Sequence, residues 1–184
     1  MNILIAYATR TGSTARAARL LESELPGAVA VDLSQSTPDP TDFDAVILGS
    51  GIRFGRIEKP LRAFLERHWE ALRDKDKAVF LCNAIPEEER KILRSNFSIR
   101  FRNDCVLAES LGGELDLGAL SKKDRLLLKA AKPQLIERIR EGLLPALDTD
   151  KIKAFAQTFL DAIDPPKLVY DRRTRRLVEV RGRA

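Results

Sequence analysis

Residues 3–14 have the sequence Ile3-Leu4-Ile5-Ala6-Tyr7-Ala8-Thr9-Arg10-Thr11-Gly12-Ser13-Thr14. The apolar run at its start predicts a buried strand over Asn2–Tyr7, and the residues after it predict a helix over Thr14–Leu25. The turn between them carries four hydroxyls and a glycine, at a helix N-terminus that attracts phosphate through its free N–H groups and dipole. Neither the lysine of a triphosphate loop nor a Gly-x-Gly-x-x-Gly pattern follows. Neutral hydroxyl donors therefore predict a single terminal phosphate ester as the ligand.

The same stretch, together with Ala18 and Leu21 on the next helix, resembles the FMN-phosphate signature of flavodoxins. The resemblance implies a non-covalent FMN whose phosphate is bound by Thr9, Arg10, Thr11, Gly12, Ser13 and Thr14. A Ser/Thr-rich helix cap without a ligand is the alternative. The preceding strand and following helix favour the ligand.

Strand-forming and helix-forming segments alternate along the chain, which predicts a parallel sheet with right-handed crossovers. The predicted strands are Asn2–Tyr7, Val29–Leu33, Ala45–Gly49, Ala78–Cys82 and Glu114–Leu117. With a phosphate loop after the first strand, they fit an α/β, flavodoxin-like three-layer sandwich with strand order 2-1-3-4-5. We expect a flavodoxin-like domain over 1–164, with a helical insert at 120–147, and a basic C-terminal extension over 165–184.

The insert has leucines and isoleucines at helical spacing beside lysines and arginines. This pattern predicts two short amphipathic helices after the fifth strand, separated by a break at Pro133. A helical pad packed on the core and a functional surface are both compatible with the pattern.

The positive charge of the chain lies in its tail. The formal net charge is +5, and residues 165–184 alone contain seven basic and two acidic residues. The β-prone runs Lys167–Asp171 and Arg176–Val180 predict a hairpin. It suits either an anionic partner (a lipid surface or an acidic protein) or pairing with the sheet edge or a second copy in a homodimer. Its apolar residues slightly favour pairing, and no nucleic acid is expected because the body has no basic stripe.

Ligands of open parallel sheets bind outside the carboxyl ends of the strands, so the loops after strands one, three and four should meet. The loop after strand three is Ser50-Gly51-Ile52-Arg53-Phe54-Gly55-Arg56. Phe54 is suited to stack on the flavin or to anchor the loop on the core. Arg53, the candidate catalytic residue, is suited to place positive charge near the reduced flavin or to be solvated. Asn83 and Ala84 follow strand four, where Asn83 is equally suited to contact the ring or to cap a helix.

The second loop, Gly49–Gly55, is similar to the second flavin loop of the menaquinone-dependent protoporphyrinogen dehydrogenases, and so are Asn83 and the Asp124-Arg125 pair of the insert. That resemblance implies an FMN-dependent oxidoreductase that passes electrons from a porphyrinogen to a quinone. The insert departs from that group because Leu120–Leu147 contains no aromatic residue. Two alternatives stay open: a soluble electron carrier, which normally has an acidic face around its flavin, and a partner-binding domain without catalysis.

Other function classes have little support in the sequence. Two cysteines and one histidine have no metal-ligand spacing, so no metal site is expected. Cys82 and Cys105 are expected to be reduced and buried, and His68 to be a hydrogen-bonded core histidine. No apolar stretch is long enough to span a bilayer, and the chain begins directly with a strand. We therefore expect a cytoplasmic protein, with peripheral contact at the inner face of the membrane through the basic tail as a further option.

Overall fold

A five-stranded parallel sheet forms the centre of the computed structural model, which describes residues 1–114, 122–131, 133–142, 146–171, 173 and 176–180. Its elements in chain order are β1 (Ile3–Ala8), β2 (Ala28–Asp32), β3 (Ala45–Arg53), β4 (Arg56–Ile57), β5 (Asp76–Cys82) and β6 (Leu107–Ser110). The parallel order is β2-β1-β3-β5-β6, and β4 pairs only with β3, antiparallel. The predicted order 2-1-3-4-5 is confirmed.

Helices cover both faces of this sheet. They are α1 (Ser13–Glu24), α2 (Lys59–Arg67), α3 (Trp69–Arg73), α4 (Glu89–Asn96), α5 (Ile99–Asn103), α6 (Lys122–Ala131), α7 (Pro133–Arg140) and α8 (Thr149–Ile163). Because successive strand residues point to opposite faces, Ile3 and Ile5 pack with α1 and α8, whereas Leu4 and Ala6 pack with α2, α4 and α5. The two cores confirm the three-layer sandwich.

The prediction of the fifth strand at Glu114–Leu117 was wrong. The strand is Leu107–Ser110, which pairs with β5 on one side only. Glu114 lies outside any strand, and residues 115–117 lie outside the described residues. An edge strand is less buried than a central strand and needs no continuous apolar run. In this strand the polar residues Glu109 and Ser110 interrupt the apolar run by which the central strands were predicted.

The third strand and its loop also differ from the prediction. β3 continues from Gly49 to Arg53 and turns back through Phe54 and Gly55 into β4. Most of the predicted second flavin loop is therefore strand, and only two residues form its tip.

A break between two helices lies at His68. α2 ends at Arg67 and α3 begins at Trp69. Its ring packs against Phe64, with ring centroids 4.7 Å apart. The Nε2 atom is buried without a hydrogen-bond partner among the described residues, so the expected hydrogen bonding was wrong.

The insert forms the two predicted short helices, α6 and α7, of which the second begins at Pro133. Leu135 and Ile136 of α7 are buried, whereas Leu126 and Leu127 of α6 are exposed. The insert is thus part packing pad and part apolar surface. Leu143 and Leu144 lie outside the described residues.

The tail forms the predicted hairpin, with strands β7 (Lys167–Asp171) and β8 (Arg176–Val180). These two strands pair with each other and form a sheet of their own. The expectation that the hairpin extends the edge of the main sheet was therefore wrong, and pairing with a second copy or an anionic partner is untested.

Candidate flavin-binding site

The first loop joins β1 to α1 and leaves the start of that helix without a side-chain cap. Gly12 occupies the N-cap with φ 89°, a conformation that glycine adopts without strain. The Gly12 N–H donates to Thr9 Oγ1 at 3.2 Å, which closes the turn. Arg10 and Thr11 are exposed at the tip, whereas Ser13 is buried. Uncapped N–H groups beside hydroxyls suit an anion.

Thr14 is fully buried, and its hydroxyl makes no hydrogen bond of ordinary geometry among the described residues, although it interacts weakly with the Cys82 thiol. A buried hydroxyl without a partner costs about 1–3 kcal/mol. Gly51 lies directly against it, because a Cβ built on Gly51 would be 3.2 Å from Thr14 Oγ1 and 3.9 Å from Thr9 Oγ1. Any larger residue at position 51 would fill the space beside both hydroxyls.

The second loop is a two-residue hairpin turn with positive φ at both positions, 50° at Phe54 and 75° at Gly55. Turns of this kind match the twist of the strands but favour Asn, Asp or Gly, and a non-glycine residue in this conformation costs about 1–2 kcal/mol. The Phe54 side chain is 52% exposed, so it does not anchor the loop on the core. The Arg53 guanidinium carbon lies 5.5 Å from the centre of its ring. The tip thus presents an exposed aromatic ring on a residue with a strained backbone, and the Arg53 guanidinium lies against that ring.

Two polar side chains, Ser50 and Asn96, hydrogen-bond to the backbone of this hairpin and of the residues next to it. The Ser50 hydroxyl is buried, accepts from Glu58 N at 2.9 Å and donates to Gly51 O at 2.8 Å. Asn96, the last residue of α4, accepts from Ile57 N at 3.1 Å and donates to Gly55 O at 2.8 Å. The sequence analysis missed Asn96, because no local pattern links it to a turn 41 residues away.

The third loop is closed on itself by Asn83. Its Nδ2 donates to Ile85 O at 2.6 Å, and Ile85 N donates to its Oδ1 at 2.9 Å. The side chain does not cap α4, whose N-cap is Glu88, so that alternative was wrong. Gly113 packs on this loop so closely that a Cβ there would lie 2.7 Å from Asn83 N. Contact of Asn83 and Ala84 with the flavin remains a prediction.

The three loops leave the same edge of the sheet from adjacent strands. Ala8 pairs with Ser50 and Gly51 with Cys82, so β1, β3 and β5 end side by side. Arg10 forms an ion pair with Glu58, at 3.3 Å between Nε and Oε2, which connects the first loop to the start of α2. The predicted meeting of the loops is therefore present.

The two cysteines are free and unsuited to thiolate chemistry. Burial raises the pKa of the Cys82 thiol to about 12, and the Thr14 hydroxyl beside it opposes the rise. Burial likewise raises the pKa of the partly buried Cys105 to about 11. Both thiols are protonated at neutral pH and therefore lack the reactive form.

A family model described as a flavodoxin domain matches residues 4–138, which include all three loops. The chain belongs to this flavodoxin family. Its cofactor is FMN, and its role is that of a flavoprotein in redox chemistry. This confirms the family resemblance, the fold class and the cofactor predicted from the first loop.

The residues present fit this cofactor. The uncapped start of α1 and the unpartnered Thr14 hydroxyl offer the donors that a phosphate ester accepts from. Glycine at position 51 places no side chain between those hydroxyls and the second loop. The individual contacts of Thr9 to Thr14, Ser50 to Gly55, Asn83 and Ala84 with FMN remain predictions.

The chain is similar to one curated protein and to two solved structures, among others. Protoporphyrinogen IX dehydrogenase [quinone] of Escherichia coli (strain K12) is 27% identical over 96 residues, which are 50% of this chain and 53% of that protein. A short-chain flavodoxin associated with a bacterial microcompartment has a TM-score of 0.52 and 12% identity, over 89% of this chain and 99% of that one. Rubredoxin oxygen:oxidoreductase of Desulfovibrio gigas has a TM-score of 0.50 and 16% identity, over 88% and 36%. The two solved structures support the fold alone, and the curated relative is matched over about half its length.

Within the part of the chain that the structure describes, every helix is too short or too polar to cross a membrane.

Proposed function

We propose that this flavodoxin-domain protein is an FMN-dependent oxidoreductase of the protoporphyrinogen dehydrogenase type, which passes electrons from a porphyrinogen to a quinone. When bound, FMN supplies the electron-accepting and electron-donating ring. The observation that carries the proposal is the tip of the second loop, where Arg53 lies against the exposed ring of Phe54. A cation at this position is suited to balance negative charge on a reduced flavin or on substrate carboxylates.

A soluble electron carrier is the second candidate, and charge weighs against it. A carrier that meets basic reductases needs acidic side chains around its flavin. Here the second loop carries Arg53 and Arg56, whereas Arg10 of the first loop is paired with Glu58, and Glu87–Glu89 follow the third loop. Residues 1–164 sum to a formal charge of zero. The second loop therefore favours an anionic small substrate over a basic protein partner.

The test is anaerobic oxidation of a porphyrinogen with a menaquinone analogue as acceptor, and porphyrin fluorescence measures the product. Enzyme-dependent porphyrin formation that requires both FMN and quinone supports the proposal. A yellow protein that accepts electrons from a flavodoxin reductase but leaves the porphyrinogen unchanged supports the carrier. A colourless protein that binds no FMN supports a partner-binding domain.

Replacing Arg53 with alanine is expected to change turnover or flavin reduction potential while leaving the apoprotein nearly as stable as before. Arg53 lies in a loop at the strand ends, and its contact with the exposed Phe54 ring contributes about 0.5–1 kcal/mol. Thermal melting of the apoprotein and a potentiometric titration of the FMN form measure the two effects. Arg73→Ala on α3, which removes an exposed arginine far from the loops, is the control. A large loss of apoprotein stability with unaltered flavin chemistry would contradict the role.

The basic hairpin, β7 with β8, is proposed to contact an anionic surface at the membrane. Val169 and Val178 are 49% and 37% exposed, and the strand register puts them on the same face of the hairpin as Lys167 and Arg176. Apolar and basic side chains together suit the interface of an anionic bilayer, where each basic residue contributes about 1 kcal/mol. Two such tails would repel each other, which weighs against pairing with a second copy.

Deleting residues 165–184 is expected to leave FMN binding unchanged, because the hairpin forms a sheet separate from the main sheet. Adsorption to vesicles that contain phosphatidylglycerol should fall, and the adsorption of the full chain should weaken with salt. Sedimentation with such vesicles and size-exclusion chromatography measure the two outcomes. Loss of a dimer with unchanged vesicle binding would assign the hairpin to a second copy instead.

A further inference from the structure

We propose that Asn96 is a positioning residue for the flavin: it holds the Phe54–Gly55 turn in the shape that receives the ring. The proposal rests on the contact between this turn and the flavin put forward above. Asn96 is the last residue of α4 and belongs to none of the three ligand loops.

One amide side chain bridges both sides of the turn. Asn96 Oδ1 accepts from Ile57 N at 3.1 Å, after the turn, and Nδ2 donates to Gly55 O at 2.8 Å, within it. Nδ2 also donates to Ile92 O at 2.8 Å, which fixes the amide to its own helix. The turn is thereby tied to α4, whose Ile92 and Leu93 are buried in the core.

The turn needs such support because its own sequence opposes its conformation. Phe54 has φ 50°, a region that favours Asn, Asp and Gly and strains a bulky side chain. The strands that flank it are paired at only two positions, Ile52 with Ile57 and Arg53 with Arg56. So short a ladder holds a strained turn poorly. Without Asn96, the turn is expected to relax and the population competent for flavin binding to fall.

The first test compares Asn96→Ala with Ser95→Ala on the same helical turn. Ser95 is exposed, and its hydroxyl donates to Ile92 O and accepts from Asn96 Nδ2 at 3.2 Å, so Ser95→Ala leaves both bonds from Asn96 to the hairpin in place. We expect Asn96→Ala to weaken FMN and riboflavin binding by the same factor, about tenfold, because a smaller competent fraction lowers every apparent affinity equally. Ser95→Ala should bind both flavins as the wild type does. Unchanged affinity in Asn96→Ala, measured by quenching of flavin fluorescence, would overturn the proposal.

The second test is a double-mutant cycle, which separates support of the turn from a general role in folding. With Phe54→Asn the turn is favoured by its own sequence, so adding Asn96→Ala should change flavin affinity by less than about twofold. An equal loss in both backgrounds would show that Asn96 acts elsewhere. Should Asn96→Ala fail to fold, Asn96→Ser, whose short hydroxyl cannot bridge both sides, takes its place.

The single variants separate the positioning role of Asn96 from the contact between Phe54 and the flavin. If Phe54→Asn alone leaves the affinity for both flavins unchanged, the Phe54 ring does not contact the flavin, and the positioning role fails together with that contact. If Phe54→Asn weakens binding but Asn96→Ala does not, only the positioning role fails.

Discussion

Replacing Thr9 and Thr14 together with valine is expected to weaken FMN binding by at least about tenfold, because each charge-assisted hydrogen bond to phosphate contributes about 1.5–3 kcal/mol. The affinity for riboflavin, which lacks the phosphate, should be nearly unchanged. The apoprotein should remain folded, since valine has nearly the shape of threonine, the Thr14 hydroxyl is buried without a well-formed hydrogen bond, and Thr9 loses only the one bond that it accepts from Gly12 N–H. Fluorescence titration with each flavin, with thermal melting of the apoprotein, checks all three effects.

The matched control for these substitutions is Thr158→Val on α8, an exposed threonine outside the ligand loops. It should bind both flavins with wild-type affinity. Unchanged FMN affinity in the double variant would remove the phosphate from this loop. A parallel loss for FMN and riboflavin would instead indicate a general distortion.

Replacing Phe54 with asparagine is expected to have opposite effects on the free protein and on flavin binding. The apoprotein should gain about 1–2 kcal/mol of unfolding free energy, because asparagine tolerates the left-handed conformation that strains phenylalanine. Flavin affinity should fall about tenfold, since an aromatic stacking contact contributes about 1–3 kcal/mol. Urea unfolding of the apoprotein and flavin titration measure the two effects.

Phe54→Ala separates the two causes, because it removes the ring but stays strained at the same backbone angle. It should lose affinity as asparagine does, without the gain in stability. If asparagine leaves affinity unchanged, Phe54 does not stack on the flavin. If it destabilises the apoprotein, the turn is not strained by phenylalanine.

What could be predicted from sequence was local in the chain. The phosphate loop is a strand, a turn and a helix in direct succession, so the apolar run and the hydroxyls of residues 3–14 contain the whole signal. The tail hairpin was equally local, and its strand bounds match those predicted, Lys167–Asp171 and Arg176–Val180. In both cases, neighbouring residues decide the conformation.

What could not be predicted depends on contacts distant in sequence. Asn96 contacts a hairpin about forty residues away, and nothing around position 96 indicates that partner. The fifth strand, Leu107–Ser110, is covered on one edge only, so the apolar pattern of a central strand is lacking. The Phe54–Gly55 turn was hidden because its first residue contradicts the usual turn chemistry. That contradiction is itself the strongest sign that the turn serves binding, since strain persists where function requires it.

The most direct test of the account is a side-by-side titration of the apoprotein with FMN and with riboflavin, followed by quenching of flavin fluorescence. The account predicts one FMN per chain and an affinity for riboflavin weaker on the order of a hundredfold, because at least two charge-assisted hydrogen bonds to the phosphate are lost. Equal affinity for the two flavins would contradict a phosphate site at Thr9 to Thr14. Failure to bind either flavin would contradict the flavin site as a whole.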